Sequence, residues 1–196
     1  MRIAALVCAA LIKEMHPIET APERVLAVDP SLRSTGYAVL ERTAGVSVQG
    51  GARMKALTWG VIKNRQDLLQ SGCLVAIHTR IRELIEEYRP NSAAFEAVIF
   101  VQSYKTAIVL GCARGAALLS AAHFGLPIYE YAPRRVKQAV VGRGGADKEQ
   151  VAFMVRALLG LTETPGSDAA DALAVGLTHF QAEDRAKWKV GEMERI

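Results

Sequence analysis

The chain has 196 residues, 51% of them hydrophobic and 22% charged, values that suit one soluble domain with a substantial core and exclude collagen-like, low-complexity and disulfide-scaffold proteins. Its 24 Lys and Arg against 20 Asp and Glu leave a formal charge of +4, which permits a polyanionic partner without demanding one. The excess is local: residues 131–160 hold Arg134, Arg135, Lys137, Arg143, Lys148 and Arg156 against Asp147 and Glu149, so this stretch is the candidate polyanion face.

Near the start, Ile3 to Ile12 is an apolar run behind Arg2 that imitates a signal-peptide core yet falls well below the roughly 18 residues needed to span a bilayer. With Met15 available as an alternative start and Pro22 breaking the chain, residues 1–24 are expected to be an extension or packed helix, not an export signal. Val25 to Val28 before Asp29-Pro30 reads as a buried strand ending in a turn, and Gly36 to Leu40 as its hairpin partner. The region to Ile62 supplies a third strand and an irregular connection. Leu68, Leu69, Leu74, Ile77, Ile81, Leu84 and Ile85 then recur at mostly three- and four-residue steps, an amphipathic helix over 66–88 stopped by Pro90.

Ala93 to Val98 reads as a short buried strand, residues 104–123 as a helix rich in Ala, Leu and Gly, and Leu126 to Tyr131 as a further strand. That helix suits close packing, either on its own sheet or against a second subunit. Within it Arg114 requires a buried or interfacial partner, for which Glu130 is one candidate. Two more helices are expected over 148–159 and 168–180, with Gly142-Arg143-Gly144-Gly145 as a flexible joint. The order predicts an α/β domain over 25–182, a mixed sheet of about five strands flanked by helices, and a polar tail over 183–196 in which Lys187-Trp188-Lys189 is either solvated or a basic-aromatic contact to a polyanion. Cys8, Cys73 and Cys112, widely spaced among small and apolar residues, suit reduced thiols in a cytoplasmic compartment, and no membrane partner is expected.

The chemistry lies in acidic residues with apolar neighbours. Asp29 ends one strand, Glu96 follows another, and Asp168 and Asp171 lie three apart, on one side of a helix. A cluster of carboxylates without Cys or His suits a hard cation such as Mg²⁺ or Mn²⁺, and two such ions about 4 Å apart can activate water against a phosphodiester. Each acid also has a plainer use: an Asx turn for Asp29, a cap and capping box for Asp168 and Asp171, a strand-edge charge for Glu96. Spacing alone does not bring the four together.

Val-Asp-Pro-Ser-Leu-Arg-Ser-Thr-Gly-Tyr at 28–37, Phe-Glu-Ala-Val at 95–98, Leu-Gly-Cys-Ala-Arg-Gly at 110–115, Tyr-Ala-Pro-Arg-Arg-Val-Lys-Gln-Ala-Val-Val-Gly at 131–142 and Asp-Ala-Ala-Asp-Ala-Leu-Ala at 168–174 resemble the RuvC family of crossover junction endodeoxyribonucleases, in order and over about 25–180. The resemblance implies a ribonuclease-H-like fold, a homodimer, and paired nicks across a four-way (Holliday) DNA junction during recombination and repair. It implies two Mg²⁺ ions per site, with Mn²⁺ as a substitute, held by Asp29, Glu96, Asp168 and Asp171, and a branch-migration motor complex as partner. It assigns DNA contacts to Lys137 and Lys148, inside the basic stretch with Arg134 and Arg135.

The chain departs from the family where an aromatic wedge opens the junction. The pattern has Gln directly after the glutamate and Phe at the third position; here these are Ala97 and Ile99, with Phe100 one residue later and Tyr104 a further stacking candidate. Three functions compete on these residues: a junction-resolving nuclease, a junction binder that has lost cleavage, and a phosphotransferase of the actin-like sort, whose phosphate loop Asp29 to Gly36 loosely imitates. The last needs a second domain for which 196 residues leave no room.

Overall fold

Five runs of extended chain form one sheet in a computed structural model describing residues 21–43, 53–98, 103–187 and 195–196. They are β1 (Glu23–Asp29), β2 (Ser34–Thr43), β3 (Arg53–Lys63), β4 (Ser92–Glu96) and β5 (Ile128–Tyr131), in the order β3-β2-β1-β4-β5. The first three pair antiparallel as a meander, and β4 and β5 join parallel to β1. Five helices complete the fold: α1 (Gln70–Tyr88), α2 (Tyr104–His123), α3 (Pro133–Val141), α4 (Lys148–Leu159) and α5 (Ser167–Lys187).

Helices cover both sheet faces, which explains why β1 is an unbroken apolar run. Leu26 and Val28 point into one core with Ile77, Ile81 and Leu84 of α1 and Ala113 and Ala117 of α2. Val25 and Ala27 point into the other with Val136, Val151, Leu173, Leu177 and Phe180 from α3, α4 and α5. Gly176 lets α5 lie close on the sheet, because a methyl there would overlap the Leu40 side chain.

Three helices differ from the sequence expectation. Helix α1 begins at Gln70, not 66, because the guanidinium of Arg33 holds the Leu68 carbonyl at 3.0 Å in a preceding turn. Helix α3, inside the basic stretch, was not anticipated; only Val136 and Val140 of its nine residues are buried. Helix α5 runs to Lys187, past the expected end at 180. Its last turns are fastened by buried Arg42, which reaches Asp184 at 2.8 Å and Glu183 at 2.7 Å.

Arg114 pairs with Glu130 at 2.8 Å, joining α2 to β5. At the chain's other end the Ile196 N–H donates to the Ile128 carbonyl at 3.0 Å and Arg195 pairs with Tyr129, so part of the expected tail covers the outer edge of β5. The apolar run Ile3 to Ile12, Met15, Ile99, Phe100, Trp188 and Lys189 lie outside the described residues.

A carboxylate cluster as candidate active site

Asp29 and Glu96 are the last residues of adjacent parallel strands, and the pairing of Val28 with Phe95 brings them side by side at the carboxyl end of the sheet, the edge at which open α/β sheets bind ligands. The turn after Asp29 is held from several sides. Ser31 N–H donates to Thr35 Oγ1 at 3.2 Å, Asn64 N–H to the Arg33 carbonyl at 3.0 Å, and the Asn64 amide to the Leu32 carbonyl at 2.7 Å. The Asp29 carboxyl is hydrogen bonded to Glu96 across the strands.

The first turn of α5 brings the other two acids. Gly36, register partner of Asp29, lies under the Asp168 main chain so closely that a methyl at Gly36 would overlap the Asp168 carbonyl. Ser34, two residues earlier on β2, donates from its hydroxyl to the Asp168 carboxylate. One turn on, Asp171 accepts from the Lys148 ammonium at 3.1 Å, and the same ammonium lies 3.1 Å from Ser167 Oγ. Lys148 is the first residue of α4, whose start is set by a reciprocal cap: Gln150 N–H donates to Asp147 at 2.8 Å and Asp147 N–H to the Gln150 side chain at 3.2 Å.

The four carboxylates act on one another. Burial first, then the charge of Asp171, pushes Asp29 up to about 6, and Asp168 adds to the push. Burial, then Asp29 and Asp171, pushes Glu96 up to about 8. Their mutual hydrogen bond raises Glu96 and lowers Asp29, so the proton resides on Glu96. Lys148 opposes both shifts, and its own pKa is raised by the Asp171 hydrogen bond.

This donor set fits hard divalent cations: four carboxylates from three elements, with more negative charge than burial tolerates and one ammonium to offset it. As the side chains lie, each carboxylate is turned to another partner, and no group of three among the described residues is gathered around one point. Asp29 and Glu96 face each other, Asp168 faces Ser34 and Asp171 faces Lys148.

Of the expected DNA contacts, Lys148 on α4 touches this cluster, while those on α3 belong to a helix packed along the later turns of α5, where the Gln181 amide donates to the Ala139 carbonyl at 3.2 Å. Arg134 is exposed and Lys137 half-buried on α3, while Arg135 lies 5.3 Å over the Tyr131 ring. Tyr104, at the start of α2, is 74% exposed and not packed under its helix. Sequence reasoning passed over Ser34, Gly36 and Ser167. Only the glycine inside an apolar strand carried a signal, since such a glycine marks a close backbone approach.

The model of the family "Crossover junction endodeoxyribonuclease RuvC" matches residues 25–179. This chain belongs to the RuvC family. A RuvC of Akkermansia muciniphila is 49% identical over 173 residues, spanning 88% of this chain and 99% of that protein, and one of Teredinibacter turnerae is 42% identical over 163 residues, spanning 81% and 88%. The structure of Thermus thermophilus RuvC in complex with a Holliday junction substrate superposes with a TM-score of 0.75 at 33% identity, covering 89% of this chain and 99% of that one. The RuvC likeness carries the ribonuclease-H-like fold with it, as expected from the motifs.

Proposed function

We propose that this chain resolves four-way DNA junctions by divalent-metal-dependent hydrolysis of two phosphodiesters on opposing strands, in the cytoplasm, during recombination and repair. The observation that carries the reading is the meeting of Asp29, Glu96, Asp168 and Asp171 at one end of the sheet. A junction binder without hydrolysis would gain nothing from four carboxylates beside a phosphate backbone.

Asp29, Glu96, Asp168 and Asp171 would hold two Mg²⁺ ions, or Mn²⁺ in their place. When bound, such ions supply a Lewis acid for the phosphodiester and lower the pKa of a water. The chain's own residues do the rest. Glu96 holds its proton up to about pH 8 and must give it up to serve as a ligand, so cation binding would displace that proton and tighten as the pH rises. Lys148, tethered to Asp171, is the cation assigned to the scissile phosphate, where its charge would offset that of the transition state. Lys137, Arg134 and Arg135 hold the strand by its phosphates, and Ile99, Phe100 and Tyr104 are assigned to the opened bases.

A second copy of the chain supplies the second nick. Ile108, Cys112, Gly115 and Leu119 form a stripe along α2, with Ile108 and Leu119 each 61% exposed and open space above Gly111 and Gly115. Leu74 and Val75 of α1 border the same groove. An apolar face of small and aliphatic residues suits helix packing between subunits. A branch-migration motor is the further partner assigned to the assembled complex.

The test is incubation with an immobile four-way junction and a matching linear duplex, with Mg²⁺ or with EDTA. Paired nicks on the junction alone, lost in EDTA, are expected. Junction binding without nicks in either Mg²⁺ or Mn²⁺ would overturn the reading.

A further inference from the structure

His179 is completely buried on α5. Its Nε2 lies 2.9 Å from Ser92 Oγ and its Nδ1 2.9 Å from the Tyr131 hydroxyl. Ser92 is the first residue of β4 and Glu96 the last. Tyr131 is the register partner of Glu96 on β5, and its main-chain carbonyl accepts from Ala97 N–H at 2.9 Å, the residue directly after Glu96. One imidazole therefore grips β4 at its start and, through Tyr131, at its end. About three helical turns separate His179 from Asp168, which returns it to nearly the same side of α5. The helix that presents Asp168 and Asp171 is thus pinned to the strand that presents Glu96.

The ring is fixed in its turn. Glu183 Oε1 lies 3.5 Å from Nε2, while Glu183 Oε2 pairs with Arg42 at 2.7 Å. Arg42 also donates to Glu23 at 2.8 Å on β1 and to the Phe180 carbonyl at 3.0 Å. A carboxylate beside Nε2 favours the proton there, leaving Nδ1 to accept from Tyr131. Every polar atom of the imidazole is then satisfied, the condition under which a buried polar network orders its surroundings. An aliphatic side chain would fill the same space without holding the two strands in register with the helix.

We infer that His179 is a positioning residue for the carboxylate cluster, setting Glu96 against Asp168 and Asp171 through Ser92 and Tyr131. The inference rests on the proposed metal-dependent hydrolysis, and its test separates the two. Mn²⁺ binding is measured directly by the electron paramagnetic resonance of the free ion, on the full chain and on His179→Leu, Tyr131→Phe and His179→Asn, alongside thermal unfolding and junction binding in EDTA. His179→Leu and Tyr131→Phe are expected to bind Mn²⁺ at least fivefold more weakly, with junction affinity within twofold of the parent. Nicking by both should recover as Mn²⁺ is raised. His179→Asn, whose amide can still accept from the Tyr131 hydroxyl, should regain most of the affinity. Tyr131→Phe keeps its ring in the core, so it reports even where His179→Leu fails to fold. Folded variants that bind Mn²⁺ as the parent does, with only a lower melting temperature, would make His179 a stabilising strut and overturn the inference. A parent that binds no Mn²⁺ would instead overturn the metal reading, and this inference with it.

Discussion

Gly36 lies beneath the main-chain carbonyl of Asp168, with no room between them for a methyl group, and is at the same time the register partner of Asp29. One residue without a side chain therefore fixes how closely two of the four acids approach. Gly36→Ala is expected to destabilise the fold by about 1–3 kcal/mol through overpacking and to lower nicking at least tenfold. Gly176→Ala, which meets Leu40 farther along α5, serves as the control. It should cost comparable stability in denaturant unfolding while leaving the rate of the folded protein near that of the parent. Equal losses of rate in both would remove Gly36 from any special relation to the site.

The raised carboxyls make stability depend on pH in a stated direction. Asp29 and Glu96 hold protons more tightly folded than unfolded. Their contribution is full below the ordinary carboxylate range and is lost as the pH rises through about 6 and about 8. In chelator, Glu96→Gln is expected to be more stable than the parent at about pH 8.5, on the order of 1–3 kcal/mol, and no more stable at about pH 5. Thermal unfolding across that range checks it. An advantage that does not grow with pH would contradict the assigned shifts.

Much of this centre is legible in the sequence, and the reason is energetic. Asp29 after Val25 to Val28, and Glu96 after Ala93 to Phe95, put charges where burial is costly, so they stand out against their neighbours. The three-residue step from Asp168 to Asp171 shows that they share a helix side, though not that Ser34 and Lys148 receive them. Those pairings join β2 to α5 and α4 to α5 over long chain separations, which periodicity does not encode. Helix α3 was missed because nine residues with two buried valines give too few repeats to register a period. His179 was passed over because a lone histidine in Gly-Leu-Thr-His-Phe reads as core filling, and its meaning lies in the Ser92 and Tyr131 hydroxyls brought to it by β4 and β5.

Phosphate contacts predict a salt effect. Lys137→Ala is expected to weaken junction binding across all junction sequences and to reduce the slope of log affinity against log salt by about 0.9, the value for one lost phosphate contact. Titrations at several ionic strengths would measure it. An unchanged slope would place the backbone contacts elsewhere on α3.

The open stripe on α2 predicts the assembly. Leu119→Glu puts a charge in the groove beside Val75 and Gly115 and should shift the protein from dimer to monomer in analytical ultracentrifugation. The variant should leave single, uncoordinated nicks in place of paired ones. A variant that remains dimeric would assign the interface to another face.

The central claim, that Asp29, Glu96, Asp168 and Asp171 form one hydrolytic centre, is tested most directly by replacing each with its amide and measuring junction binding and single-turnover nicking together. Each variant is expected to bind the four-way junction at least as tightly as the parent, since no amide adds negative charge near phosphate and the aspartate replacements remove it, and to nick it at least a hundredfold more slowly. Any one of the four amides that nicks at the parental rate would contradict the claim.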